Sequence, residues 1–156
     1  MLFRSVNATV TLPAGQQTLT IDQDNGGWNI HQLTFASSSS SGGSCGELTS
    51  NQELTANQSL ASCNGDYTLT MQGDGNLVLY QSGTALWSSS TAGSGADEAI
   101  MQGDGNFVLY TSSGTPVWAS NTAGNTGAYL NVQNDGNVVV YSASGAALWS
   151  TGTAGK

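Results

Sequence analysis

The stretch Met71-Gln72-Gly73-Asp74-Gly75-Asn76-Leu77-Val78-Leu79-Tyr80 decides the fold, because the chain contains it three times. It returns as Met101 to Tyr110 and, with conservative changes, as Val132 to Tyr141. A tryptophan follows each copy, at Trp87, Trp118 and Trp149. A fixed internal period marks an architecture of like units, none of which can bury its apolar face alone. Each copy reads as strand, tight loop, strand, loop, strand: Thr68 to Gln72, Asn76 to Tyr80 and Thr84 to Ser88 in the first. Gly73-Asp74-Gly75 forms a three-residue hairpin loop, since Asp-Gly tolerates the positive φ such turns need. No segment carries helical periodicity. The expectation is an all-β domain with three meanders packed around a shared axis.

Alternation separates two faces. Leu69, Met71, Leu77 and Leu79 share one, with Met101, Phe107, Leu109, Leu130, Val132, Val138 and Val140 as their counterparts. These are expected in the core, and the three tryptophans with them. The opposite face carries Gln72, Asn76, Val78 and Tyr80, is expected to be exposed, and repeats without change of residue type. The candidate site residues are therefore Gln72, Asp74, Asn76, Val78, Tyr80; Gln102, Asp104, Asn106, Val108, Tyr110; and Gln133, Asp135, Asn137, Val139, Tyr141.

On one straight strand Gln72 and Tyr80 would stand about 26 Å apart, too far for one small ligand. The hairpin folds Gln72 back beside Asn76, which leaves Asn76 about 13 Å from Tyr80 with Val78 between them. The chemistry suits a neutral polyol. Aspartate only accepts hydrogen bonds, whereas Asn and Gln offer a donor and an acceptor each. A sugar hydroxyl gives one bond and takes another, and the charged acceptor forms the stronger kind. Val78 would floor the ring and Tyr80 would reach a further hydroxyl. Turn chemistry and packing could explain one copy, but not the retention of all five residue types through three copies.

Composition agrees. Two basic side chains stand against ten carboxylates, for a net charge of −8. Nothing in such a chain neutralises phosphates, which argues against nucleic acid and anionic membranes as partners. No run is long enough to span a bilayer and no secretory signal is visible. Cys45 and Cys63 are the only cysteines and His31 the only histidine. A zinc site takes about four ligands, so no metal and no cofactor are expected. The cysteines fit a disulfide closing a short loop in an oxidising compartment; two buried free thiols are the alternative.

Gln-x-Asp-x-Asn-x-Val-x-Tyr in triplicate, with the trailing tryptophans, resembles the bulb-type mannose-binding lectins of monocots and their bacterial relatives. The likeness covers about residues 45–156. It implies the β-prism II fold, three four-stranded antiparallel sheets about a pseudo-threefold axis. It also implies mannose-containing glycans as partners, with Asp and Asn on the axial O2, Gln on O3 and Tyr on O4. One departure is that plant members often carry a cysteine where this chain has Gly75, which puts the disulfide here at Cys45 and Cys63 instead.

Residues 37–44 are a Ser/Gly linker by composition. Before it, Val10 to Leu19 and Gly26-Gly27-Trp28-Asn29-Ile30 resemble the C-terminal end of a family 6 carbohydrate-binding module, which implies Asn29 as a sugar contact. A piece of this size cannot bury a core, so residues 1–36 are expected to be a truncated β-sandwich fragment of a larger secreted modular protein. Two other functions compete with this one. A glycosidase needs two carboxylates about 5–9.5 Å apart. The repeated aspartates lie one per sheet, and Asp97 and Glu98 are expected to point opposite ways along a strand. A protein-interaction or toxin-targeting module on the same fold would bind without mannose dependence. The sequence leaves the oligomeric state open.

Overall fold

The structure, a computed structural model, describes residues 45–156. Asn29, the module fragment at 1–36 and the linker at 37–44 lie outside the described residues. Among the described residues twelve strands follow one another: β1 (Glu47–Leu48), β2 (Gln52–Thr55), β3 (Ser59–Ala61), β4 (Tyr67–Met71), β5 (Leu77–Gln81), β6 (Thr84–Ser88), β7 (Ala96–Met101), β8 (Phe107–Thr111), β9 (Pro116–Ala119), β10 (Tyr129–Val132), β11 (Val138–Tyr141) and β12 (Ala147–Ser150). They form three four-stranded sheets ordered β3-β4-β5-β6, β2-β7-β8-β9 and β1-β10-β11-β12, here sheets 1, 2 and 3. All pairings are antiparallel. The expected β-prism is present, with each repeat supplying three strands of one sheet.

The fourth strand of every sheet comes from one segment. Residues 47–61 run past all three sheets and leave β1 on sheet 3, β2 on sheet 2 and β3 on sheet 1. A six-residue rhythm explains how: Glu47-Leu48-Thr49-Ser50-Asn51-Gln52 is followed by Glu53-Leu54-Thr55-Ala56-Asn57-Gln58. Asn51 and Asn57 adopt φ of 64° and 69° and turn the chain from one sheet to the next. Asparagine enters this left-handed region more readily than most side chains. At each corner the glutamine closes the turn: Gln52 Oε1 accepts from Thr49 N–H at 2.7 Å and Gln58 Oε1 from Thr55 N–H at 2.9 Å. Leu48 and Leu54 point inward and are buried, while Leu60 is half-buried. Cys45 and Cys63 are joined as the expected disulfide, which fastens the two ends of this belt.

The core lies where alternation places it. Leu69, Met71, Leu79, Met101, Phe107, Leu109, Leu130 and Val140 are fully buried between the sheets. Their residue types differ from repeat to repeat, yet they fill one common interior. Trp87, Trp118 and Trp149 pack against it as a mutual triad, with ring centroids 5.3–5.9 Å apart and planes inclined by 73–76°. Edge-to-face contact sets the positive rim of one ring against the negative face of the next.

The glycine before each site asparagine interlocks the sheets. Gly75, Gly105 and Gly136 have φ near 90°. A Cβ on Gly105 would meet the Asn125 carbonyl oxygen, and one on Gly136 would meet the ring of Tyr67 at 2.5 Å. The hairpin loop of sheet 3 thus seats on sheet 1, and that of sheet 2 on the segment entering sheet 3.

Candidate functional site

Each hairpin builds the same hydrogen-bonded frame. In sheet 1, Gln72 N–H donates to Asn76 O at 2.8 Å, so Gln72 lies beside Asn76 as the three-residue loop requires. Within the loop, Asp74 Oδ1 accepts from Asn76 N–H at 3.0 Å. Gln72 Nε2 reaches along the sheet and donates to Tyr80 OH at 2.7 Å. Asn76 Oδ1 accepts twice, from Ser89 Oγ and Thr91 N–H, each at 3.1 Å. Sheets 2 and 3 repeat every one of these bonds. Gln102 donates to Tyr110 at 2.9 Å and Gln133 to Tyr141 at 2.8 Å. Asp104 and Asp135 cap the Asn106 and Asn137 N–H groups, both at 2.9 Å. Asn106 Oδ1 is held by Ser120 and Thr122, and Asn137 Oδ1 by Thr151 and Thr153.

All five residues of each set therefore converge on the outer face of one sheet, with Asp exposed and Gln, Asn and Tyr half-buried. Two expectations are corrected in detail. Val78, Val108 and Val139 are not an open floor: they are 3%, 2% and 3% exposed. Each sits on an interior strand, flanked by neighbours such as Thr70 and Ser88, and the Gln–Tyr bond spans its position from above. The asparagines do not offer both functions either. Their acceptor is consumed by two donors, which leaves the amide Nδ2 as a donor only.

The frame thereby sorts the free atoms. Among the described residues, no hydrogen bond uses Asp74 Oδ2, Asn76 Nδ2, Gln72 Oε1 or the Tyr80 hydroxyl proton, and the other two sets match. Each site presents a charged acceptor beside an amide donor, then a second acceptor, then a phenolic donor. That alternation fits vicinal hydroxyls, each of which must give and receive.

Sequence reasoning missed the residues that orient the asparagines. They are Ser89 and Thr91, Ser120 and Thr122, Thr151 and Thr153. The hydroxyls within each pair bond one another at 2.6–2.8 Å. Thr91, Thr122 and Thr153 each donate to the loop glycine carbonyl at 2.6 Å and are buried. A signal was present: Ser/Thr-x-Thr begins two residues after every tryptophan.

The expectation that Asp97 and Glu98 point opposite ways is also corrected. The β7–β8 register shifts between Ala96 and Glu98, so Asp97 is an extra residue in a bulge. Bulges re-aim side chains, and Asp97 and Glu98 both border one cleft beside Tyr110. Burial raises the Glu98 pKa above its ordinary value, helped by the nearby charge and hydrogen bond of Glu53 and the charge of Asp97. No group of three or more His, Cys, Asp or Glu able to hold a metal ion occurs among the described residues. No helix among them is long and apolar enough to cross a membrane.

No family model matches the chain. The chain is 42% identical to a monomeric monocot mannose-binding lectin from Gastrodia elata. That alignment covers 69% of this chain and 97% of the other, with a TM-score of 0.64. The mannose-specific agglutinin of snowdrop (Galanthus nivalis), solved with methyl-α-D-mannoside, matches at 39% identity over 69% of this chain and 96% of its own, with a TM-score of 0.59. Curculin-2 of Molineria latifolia is 47% identical over 64 residues, which span 41% of this chain but only 39% of curculin-2. Fold, triplicate site and relatives together define a lectin, a carbohydrate-binding protein and not an enzyme. More narrowly, the chain belongs to the monocot mannose-binding lectin family.

Proposed function

We propose that residues 45–156 bind mannose residues of glycans through three outer-face sites: Gln72, Asp74, Asn76, Val78, Tyr80; Gln102, Asp104, Asn106, Val108, Tyr110; and Gln133, Asp135, Asn137, Val139, Tyr141. One observation carries this reading. The same frame of bonds recurs three times and leaves the same four polar functions unused on the surface. An axial hydroxyl would donate to the free Asp oxygen and accept from the Asn amide. Its neighbour would meet Gln, and the next would meet Tyr. The charged acceptor makes Asp the largest single contributor. The mannoside-bound snowdrop relative supports mannose as the hexose.

Each site is shallow, and a single-site dissociation constant of about 1 mM corresponds to about −4 kcal/mol. Useful avidity would come from engaging several sites on one dense glycan. The disulfide suits an oxidising, extracellular setting. The Ser/Gly stretch at 37–44 separates this domain from residues 1–36, whose likeness to a carbohydrate-binding module, with Asn29 as its candidate contact, suits a targeting appendage of a secreted glycan-active protein.

The test is the triple variant Asp74→Asn, Asp104→Asn and Asp135→Asn. Asparagine keeps the Oδ1 that caps the loop and turns the free acceptor into a donor. Retention on mannan-agarose should be lost while the circular dichroism spectrum and melting temperature stay close to those of the parent. Retention equal to the parent's would overturn the reading.

A further inference from the structure

The sites on sheets 1, 2 and 3, here sites 1, 2 and 3, each have one strand of the belt beside them, and the belt breaks its rhythm at one residue. Glu47, Glu53 and Ser59 are equivalent, since they pair with Asn131, Ile100 and Thr70, each the penultimate residue of its strand. Two residues before them stand Cys45, Asn51 and Asn57. Serine in place of glutamate turns Asn57-Gln58-Ser59 into Asn-x-Ser, the acceptor triplet for N-linked glycans, which Asn51-Gln52-Glu53 is not. No other such triplet occurs among the described residues; Asn7-Ala8-Thr9 lies outside them.

The place of Asn57 in the fold suits a covalent attachment. Asn57, Gln58 and Ser59 are all exposed, and Asn57 lies in the turn that carries the belt onto sheet 1. Its N–H donates to Met71 O at 2.7 Å, beside Gln72 of site 1. Its side-chain amide rests against the site 1 loop: a Cβ on Gly73 would stand 3.1 Å from Asn57 Oδ1 and 3.4 Å from Nδ2. Among the described residues no hydrogen bond uses that amide. By contrast, Asn64 Nδ2 donates to Asp66 Oδ2 at 2.7 Å and Asn125 Nδ2 to the Thr122 carbonyl at 2.8 Å. A bulky hydrophilic group on Asn57 Nδ2 would face water and break no bond of the fold.

We infer that Asn57 is an acceptor for an N-linked glycan, and that this glycan shields site 1 from large ligands. The inference rests on the extracellular setting and the mannose reading proposed above. The donor is an oligosaccharide joined to a lipid diphosphate. Asn57 Nδ2 attacks its anomeric carbon, the C–O bond breaks, the diphosphate leaves with the bonding pair, and the nitrogen gives up one proton. Gly73 opens the loop that carries Asp74, so the glycan is rooted on the Gln72 flank of site 1. Glu53 and Cys45 leave the matching corners of sheets 2 and 3 without an acceptor. A single hexose still enters site 1, whereas a branched polysaccharide meets the attached glycan first.

The experiment directs the full chain into the secretory pathway of a eukaryotic host with an added signal, Asn7→Gln removing the other triplet. The secreted protein should carry one glycan, read as an intact-mass increment that peptide N-glycosidase removes, leaving aspartate at position 57. Ser59→Glu, which installs the residue of the other two corners, should lose the increment, and Ser59→Thr should keep it. Asp104→Asn with Asp135→Asn then leaves site 1 as the one working site. In that background Ser59→Glu should be retained longer on mannan-agarose than Ser59→Thr, while both bind methyl-α-mannoside with equal affinity. A secreted, disulfide-bonded protein of unglycosylated mass would overturn the acceptor. Equal retention of the two variants would overturn the shield. Failure of both to bind methyl-α-mannoside would remove the mannose reading, and the shield with it. A chain that is not exported, or arrives with free thiols, would remove the extracellular reading and the acceptor together.

Discussion

The two faces of each sheet obey different rules. On the inner face, Leu77, Phe107 and Val138 stand at one equivalent position and Met71, Met101 and Val132 at another, and all are buried. On the outer face Gln, Asn, Val and Tyr never change. An interior needs total volume and apolarity, which several side chains can supply if neighbours adjust. A frame of directed bonds cannot adjust in that way, because each atom has set partners at set distances. Variation within a single chain thus distinguishes packing from recognition.

Substitutions can break this contrast or sharpen it. The largest effect on stability should come from the inner face. Leu69→Ala should cost about 2–5 kcal/mol in urea unfolding, while the folded fraction binds methyl-α-mannoside at sites 2 and 3 as before. A loss of sugar binding in proportion to stability would show the two faces to be coupled. Replacing both cysteines, Cys45→Ser with Cys63→Ser, should cost about 3 kcal/mol through loop-closure entropy, again without altering the affinity of the folded protein. Thr122→Val probes the border between the faces. It removes a buried hydroxyl that donates to the Gly105 carbonyl, and should cost about 1–3 kcal/mol. Because Thr122 also shapes the loop that holds Asn106, site 2 should weaken while sites 1 and 3 do not.

The smallest effect concerns Glu98. Its folded pKa is raised, first by burial and then by Glu53 and Asp97. The folded state therefore holds this proton more tightly than the unfolded state. The stability linked to it is complete below the unfolded pKa and lost as pH rises through the folded one. Glu98→Gln should raise the melting temperature slightly at neutral pH, with the gain shrinking as the solution is acidified through the carboxylate range. An equal gain at every pH would point to packing instead of charge.

Much of this molecule was legible before its coordinates. Three-fold recurrence announced three meanders about a shared axis, the family resemblance made them a prism, alternation separated the core from the outer face, and the two cysteines favoured a bond over free thiols. The belt was not legible as strands, because its hexad is only two to four residues of strand per sheet and only its leucines face inward. Alternation assigned Val78 to the outer face correctly but could not show the Gln72–Tyr80 bond spanning it. The spent acceptor of Asn76 depends on Ser89 and Thr91, which lie beyond the motif and meet it only after the third strand folds back. Asp97 and Glu98 were assigned by strict alternation, which a one-residue bulge defeats.

The belt also dictates an order of assembly. Glu47 pairs with Asn131, so the first strand of this domain to be made lacks that partner until the last repeat has left the ribosome. Contacts so distant along the chain slow folding, and the nascent domain must expose a bare strand edge throughout its synthesis.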